Sequence, residues 1–220
     1  MYKGVIFDLD GVIVDSAGYH FEAWKRLANS LGTDFSHEQN EQLKGVSRVE
    51  SLRMILNWGN ISRTEEEQKT LCTLKNDWYL EIISNMNESE ILPGVKEMLD
   101  KLKQNDVRIG LGSASKNSVN ILKAVGLFDY FEVIIDGNKT TKSKPDPQTF
   151  DLGAEALKLD SSECVVIEDS IKGIIAAKRG GFDTIGIGNA DVLNANVITV
   201  SDLTKLSYKC ENGNLIILER

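Results

Sequence analysis

A chain of 220 residues, with 41% aliphatic, aromatic and cysteine residues, 26% charged residues and 3 prolines, is large enough for a substantial core, and its composition excludes the disordered and fibrous classes. Its 33 acidic and 25 basic side chains give a formal charge of -8, so no global attraction draws it to nucleic acid or an anionic membrane, and an anionic substrate must be held by local positive charge. Cys72, Cys164 and Cys210 lack any paired spacing and His20 and His37 are the only histidines; a multi-histidine metal site is excluded, and a reducing, cytoplasmic setting is expected.

Met1 leads directly into Gly4-Val5-Ile6-Phe7, a short apolar run that predicts a strand; no long apolar segment follows a basic start, so neither signal peptide nor membrane span is expected. Residues 16 to about 86 then show helical periodicity without a strand. His20, Trp24, Leu27 and Leu31 recur at helical spacing with Gly32 as the stop, and Ser36 with Gln39, Ser47 with Glu50, and Thr64 with Glu67 form capping-box patterns, so four helices are predicted. The chain returns near Leu92-Pro93-Gly94. From there apolar runs alternate with helical patterns. Strands are predicted at Val107 to Leu111, Val133 to Ile135, Cys164 to Ile167 and Thr184 to Ile187, and helices open at Pro93, Asp146-Pro147 and Asp169-Ser170.

Strands this uninterrupted are buried on both faces, which predicts an α/β fold with a Rossmann-like parallel sheet core and an inserted helical domain. Residues 1–15 and 88–220 form the core and residues 16–87 the insert. In the tail, Tyr208 to Arg220, Asn212-Gly213 suggests a hairpin, while its surroundings also permit a helix.

In open parallel sheets ligands bind beyond the carboxyl ends of the strands. The residues there are Asp8-Leu9-Asp10-Gly11-Val12, Ser113-Ala114-Ser115-Lys116-Asn117 and Glu168-Asp169, with Lys144-Pro145 before another helix. Asp10 or Asp169 alone reads as a helix N-cap. Four carboxylates at adjoining strand ends are different: like charges about 4 Å apart repel by roughly 4 kcal/mol at an effective dielectric near 20, and a hard cation relieves this. Asp8, Asp10, Glu168 and Asp169 are therefore the candidate metal site, and oxygen-only donors point to Mg²⁺. Around a bound phosphoryl group, Ser113 would donate to its oxygens and Lys144 would neutralise its charge. Asp8 is then free to attack, and Asp10, whose side chain is not needed as a ligand, can exchange a proton with the reacting oxygen.

These four segments, in this order and over the whole chain, resemble the motifs of the haloacid dehalogenase superfamily. The aspartate two residues after the nucleophile resembles its phosphotransferase branch, which forms an aspartyl phosphate. Within the insert, His20-Phe21-Glu22-Ala23-Trp24, the run Asn40 to Arg48 and Lys75-Asn76 are similar to the β-phosphoglucomutase family, as is Ser113 to Asn117 in the core. The resemblance implies that the insert is a mobile cap and that the activity is the interconversion of β-glucose 1-phosphate and glucose 6-phosphate through a bisphosphate. It also implies that Arg48, Ser115, Lys116 and Asn117 hold the non-transferring phosphate and sugar. His20 and Lys75 would couple cap closure to Asp10, while Trp24, Leu43, Gly45, Val46, Ser47 and Ser51 would line the sugar side. A phosphatase on the same core is the alternative, and a non-catalytic binding protein a more distant one. The expected partner is a small sugar phosphate, met by a monomer.

Overall fold

The computed structural model describes residues 1–193 and 196–218. The chain runs β1 (Gly4–Phe7), α1 (Ala17–Ser30), α2 (His37–Leu43), α3 (Arg48–Trp58), α4 (Glu65–Ile83), α5 (Val95–Gln104), β2 (Arg108–Gly112), α6 (Ser118–Ala124), β3 (Val133–Ile135), α7 (Gln148–Leu157), β4 (Cys164–Glu168), α8 (Ile171–Arg179), β5 (Asp183–Ile187), α9 (Ala190–Leu193), β6 (Ile198–Val200), β7 (Tyr208–Glu211) and β8 (Asn214–Ile217). Six strands form one sheet in the order β3-β2-β1-β4-β5-β6, and every pairing in it is parallel. The α/β class read from the alternating runs is the one observed.

Period-two alternation explains how one strand serves two cores. Val5 and Phe7 enter the apolar cluster on one face of the sheet with Met98, Leu99, Leu102 and Leu122, whereas Ile6 enters the other with Phe150, Leu157 and Ala177. Helices cover both faces, so the strands need no polar side.

The helices α1 to α4 surround a third cluster of their own, built from Trp24, Leu27, Phe35, Leu52, Ile55 and Leu56. Ser36 and Thr64 close full capping boxes with Gln39 and Glu67, while Ser47 accepts from the Glu50 amide alone. The two chain crossings between this bundle and the sheet are bonded to each other. The Asp15 amide donates to the Glu90 carbonyl and the Leu92 amide to that of Ile13, both at 3.0 Å, with Val14 and Ile91 bridged antiparallel.

Helix α8 opens at Asp169-Ser170 as expected, with Ser170 as the cap, its hydroxyl accepting from the Gly173 amide. The strand β6 is absent from the predicted set, because Thr199 interrupts its short run and Ile198 is half exposed. The tail forms the hairpin β7-β8, in which Asn212 (φ 50) and Gly213 (φ 72) supply the two left-handed residues of its turn. Residues 219 and 220 of that segment lie outside the described residues. The hairpin is stitched to the start of the chain by two hydrogen bonds between Tyr2 and Leu215.

Candidate active site

The order of strands reverses between β1 and β4, which lie side by side and parallel with Phe7 opposite Ile167. This register brings the next residues, Asp8 and Glu168, to adjacent strand ends. Between them stands the Lys144 ammonium, 2.6 Å from Asp8 Oδ1, 2.6 Å from Glu168 Oε1 and 3.2 Å from the Gly112 carbonyl. The Lys144 side chain is 0% exposed. Burial alone would lower its pKa, but the two carboxylates outweigh that and hold it above the usual lysine range. Glu168 turns its other oxygen to the Ser170 amide and hydroxyl, at 2.6 and 2.9 Å. Its carboxylate therefore lies over the first turn of α8, in space that only a glycine leaves: a Cβ on Gly173 would be 1.7 Å from Glu168 Oε1.

Asp169 is shared between core and bundle. Lys44, at the end of α2, reaches Asp169 Oδ2 at 3.1 Å. Burial and then Glu168 push the Asp169 pKa up to about 7, against the pull of Lys44. Asp8 is raised as well, first by burial and with Glu168, Asp10 and Asp169 adding, although Lys144 opposes. The centre thus holds more negative charge than its two ammonium groups offset.

Asp10 has a different environment. It accepts from the Ser16 hydroxyl and lies 3.7 Å from His20 Nε2; burial would raise its pKa, but these two partners bring it below the usual range. His20 Nδ1 is 3.1 Å from Lys75 Nζ, and the imidazole stacks on Tyr79 with centroids 4.3 Å apart. Lys75 lies over the rings of Trp24 and Tyr79. Burial, reinforced by Arg48, lowers its pKa to about 7. The line Asp10, His20, Lys75 thus joins the end of β1 to helices α1 and α4.

At the other end of the cleft, Asn76 Oδ1 accepts from Arg48 Nη2 at 2.7 Å and from Asn117 Nδ2 at 3.0 Å, so one carboxamide joins two bundle helices to the core. The Ser113 hydroxyl accepts from the Ser115 amide and the Ser115 hydroxyl from the Asn117 amide. Both act as turn formers before α6. Asp8, Asp10, His20, Trp24, Gly45, Val46, Arg48, Ser51, Lys75, Ser115, Lys116, Asn117 and Asp169 line the cleft. Lys144, Glu168 and Ser113 lie behind its wall, fully or almost fully buried, and Ser47 is occupied with capping α3. Lys44, Asn40 and Gly11 also line the cleft, although the sequence does not single them out as site residues. Asn76, which pins Arg48, belongs to a recognisable motif but carries no role legible from sequence. The one signal for Lys44 and Asn76 is their position beside Gly45 and Lys75.

Among the described residues no group of three or more His, Cys, Asp or Glu side chains is gathered as a metal cage. Asp10 is engaged with Ser16 and His20, and both Glu168 oxygens are engaged by Lys144 and Ser170. Asp8 commits one oxygen to the Lys144 ammonium, and Asp169 commits one to that of Lys44. Hard oxygen donors, raised in pKa by burial and by one another's charge, fit a small divalent ion.

The model of the haloacid dehalogenase-like hydrolase family matches residues 2–181. The chain is 41% identical over 207 residues to a β-phosphoglucomutase of Bacillus subtilis, covering 92% of each. It is 30% identical over 186 residues to a phosphorylated carbohydrates phosphatase of Thermotoga maritima, covering 83% of each. The crystal structure of a β-phosphoglucomutase from Clostridium difficile is similar with a TM-score of 0.91 and 40% identity, covering 94% of both chains.

Proposed function

The chain belongs to the haloacid dehalogenase-like hydrolase family, and from that premise we propose that it works as a phosphoglucomutase interconverting β-glucose 1-phosphate and glucose 6-phosphate. The observation that carries the reading is the separation of two aspartates on one strand end. Asp8 lies with Lys144 in the buried acid centre, whereas Asp10 faces His20 of the helical bundle. One is placed to carry phosphorus and the other to move a proton.

In this reading the Asp8 carboxylate carries the phosphoryl group as an acyl phosphate. The sugar 6-hydroxyl attacks phosphorus while Asp10 takes its proton, giving the 1,6-bisphosphate and free Asp8. The bisphosphate turns around, Asp8 attacks the phosphorus at C1, and Asp10 returns the proton to the leaving oxygen, which gives glucose 6-phosphate and the phosphoenzyme. Lys144 balances charge on the transferring group, and Arg48, held by Asn76 beside Ser115, Lys116 and Asn117, grips the other phosphate. Residues 16–87 form a cap over residues 1–15 and 88–220, and its closure keeps water from the acyl phosphate. Asp8 and Asp169, with the strand end at Asp10 and Glu168 beside them, would hold Mg²⁺, which supplies charge neutralisation at the phosphoryl oxygens.

The reading takes the protein as a cytoplasmic monomer, which sedimentation at the mass of one chain checks; no described helix is long and apolar enough to cross a membrane. The deciding assay supplies β- or α-glucose 1-phosphate, Mg²⁺ and a trace of the 1,6-bisphosphate, with glucose 6-phosphate and free phosphate read together. Glucose 6-phosphate formed from the β anomer, dependent on bisphosphate and with little phosphate release, is expected. Steady phosphate release without isomerisation would instead identify a sugar-phosphate phosphatase.

A further inference from the structure

Lys44 brings an ammonium from the bundle onto a carboxylate of the core. It follows the last residue of α2, and its Nζ lies between Glu41 Oε2 at 3.0 Å and Asp169 Oδ2 at 3.1 Å. The backbone holds it there. Gly45 takes a left-handed conformation (φ 70) so close to the acid centre that a Cβ would be 3.0 Å from Ser170 Oγ and 3.4 Å from Lys144 Cδ. Beside it, Lys172 of α8 donates to the Gln42 carbonyl at 2.7 Å. The end of α2 is thereby seated on the core, and its one ammonium at this point faces Asp169.

We propose that Lys44 is a built-in placeholder for the divalent ion: it neutralises Asp169 while the metal is absent and must be displaced to Glu41 when the metal binds. The inference rests on the metal reading of this site. Two cationic centres drawn to the same carboxylate a few ångströms apart repel strongly where water is scarce, so occupancy by one disfavours the other. Glu41, whose side chain is 57% exposed, gives the displaced ammonium a second partner at no change in position along the helix. Lys44 and Asp169 also line a second cleft, with Asp15, Glu41 and Asp202. A cation therefore has an approach to Asp169 apart from the sugar pocket. Because the ion binds only the fraction of molecules in which Asp169 is released, its apparent affinity falls by that fraction.

The test titrates Mn²⁺, without substrate, into the full chain and its variants and reads the dissociation constant by calorimetry. Lys44→Met is expected to bind Mn²⁺ about fivefold more tightly, the scale of one partly exposed ion pair. Glu41→Gln, which leaves Lys44 with Asp169 alone, is expected to bind it more weakly. Lys172→Met makes the same charge change and breaks the neighbouring bundle-to-core bond without touching Asp169, so its affinity should match that of the unaltered chain. If Lys44→Met binds no more tightly than Lys172→Met, or if Glu41→Gln tightens binding, the placeholder is overturned and the metal reading stands. If neither the unaltered chain nor Lys44→Met binds Mn²⁺, both fall.

Discussion

Lys144 has three protons to donate and three acceptors within reach, two of them carboxylates and one a backbone carbonyl. With both acids ionised the group keeps a net negative charge, which suits a centre that gains a cation and passes phosphorus. Asp8→Asn removes the nucleophile but keeps the shape of the side chain, so no phosphoenzyme should form from acetyl phosphate while the folded state persists; intact-mass measurement reads the first and circular dichroism the second. Arg48 differs, because it touches Asn76 rather than the acid centre. Arg48→Ala should leave phosphoenzyme formation near normal and slow transfer to the sugar by about a hundredfold, the scale of losing a positioning contact; single-turnover kinetics separate the two steps, and equal loss in both would refute that role. At this scale the core residues were legible, since each strand end is marked by the polar residues that close an apolar run. Lys44 and Asn76 were not. Their partners lie in distant segments, and no spacing in the sequence says that the end of α2 will rest on Asp169 or that α4 will face Asn117.

Elements place these residues, and the first turn of α8 shows how narrowly. Alanine ordinarily improves a helix over glycine by up to about 1 kcal/mol. At Gly173 the sign should reverse, because the added methyl group would occupy the space of the Glu168 carboxylate. Gly173→Ala is expected to lower stability by about 1–3 kcal/mol in urea unfolding, the range for overpacking a filled site, and to slow phosphoenzyme formation by shifting Glu168 off Lys144. Unchanged stability would show that Glu168 moves aside freely. The five predicted strands were readable because burial leaves each a nearly unbroken apolar run, even β3, an edge strand of three residues. β6, of the same length at the opposite edge, was hidden because Thr199 interrupts its run and Ile198 is half exposed. The start of α8 was readable as Asp169-Ser170, two good caps in a row; in the structure Ser170 caps the helix and Asp169 pairs with Lys44.

Over the whole molecule, function is bought with a buried amine that has no carboxylate directly beside it. Lys75 is 2% exposed and meets His20, Trp24 and Tyr79. Its pKa falls from an ordinary 10.5 to about 7. Between those values the unfolded chain holds a proton that the folded chain has released, so stability should rise with pH across that interval; below about 7 both states are protonated and the folded state bears the full burden of the buried charge. Lys75→Met should stabilise the protein at neutral pH, flatten that rise and lower mutase activity, as measured by denaturant midpoints across the interval beside the coupled assay. An unchanged slope would mean that Lys75 keeps its proton when folded. The paired crossings between bundle and sheet bear on the proposed closure of the cap. Two strands of backbone joined at Asp15-Glu90 and Ile13-Leu92 resist being sheared past each other or wrung separately, so they behave as a single leaf with a common axis. If the four helices swing as the proposed mechanism requires, they then have one direction to follow, and Lys44 and Asn76 would arrive over the core in step, like two latches on one door.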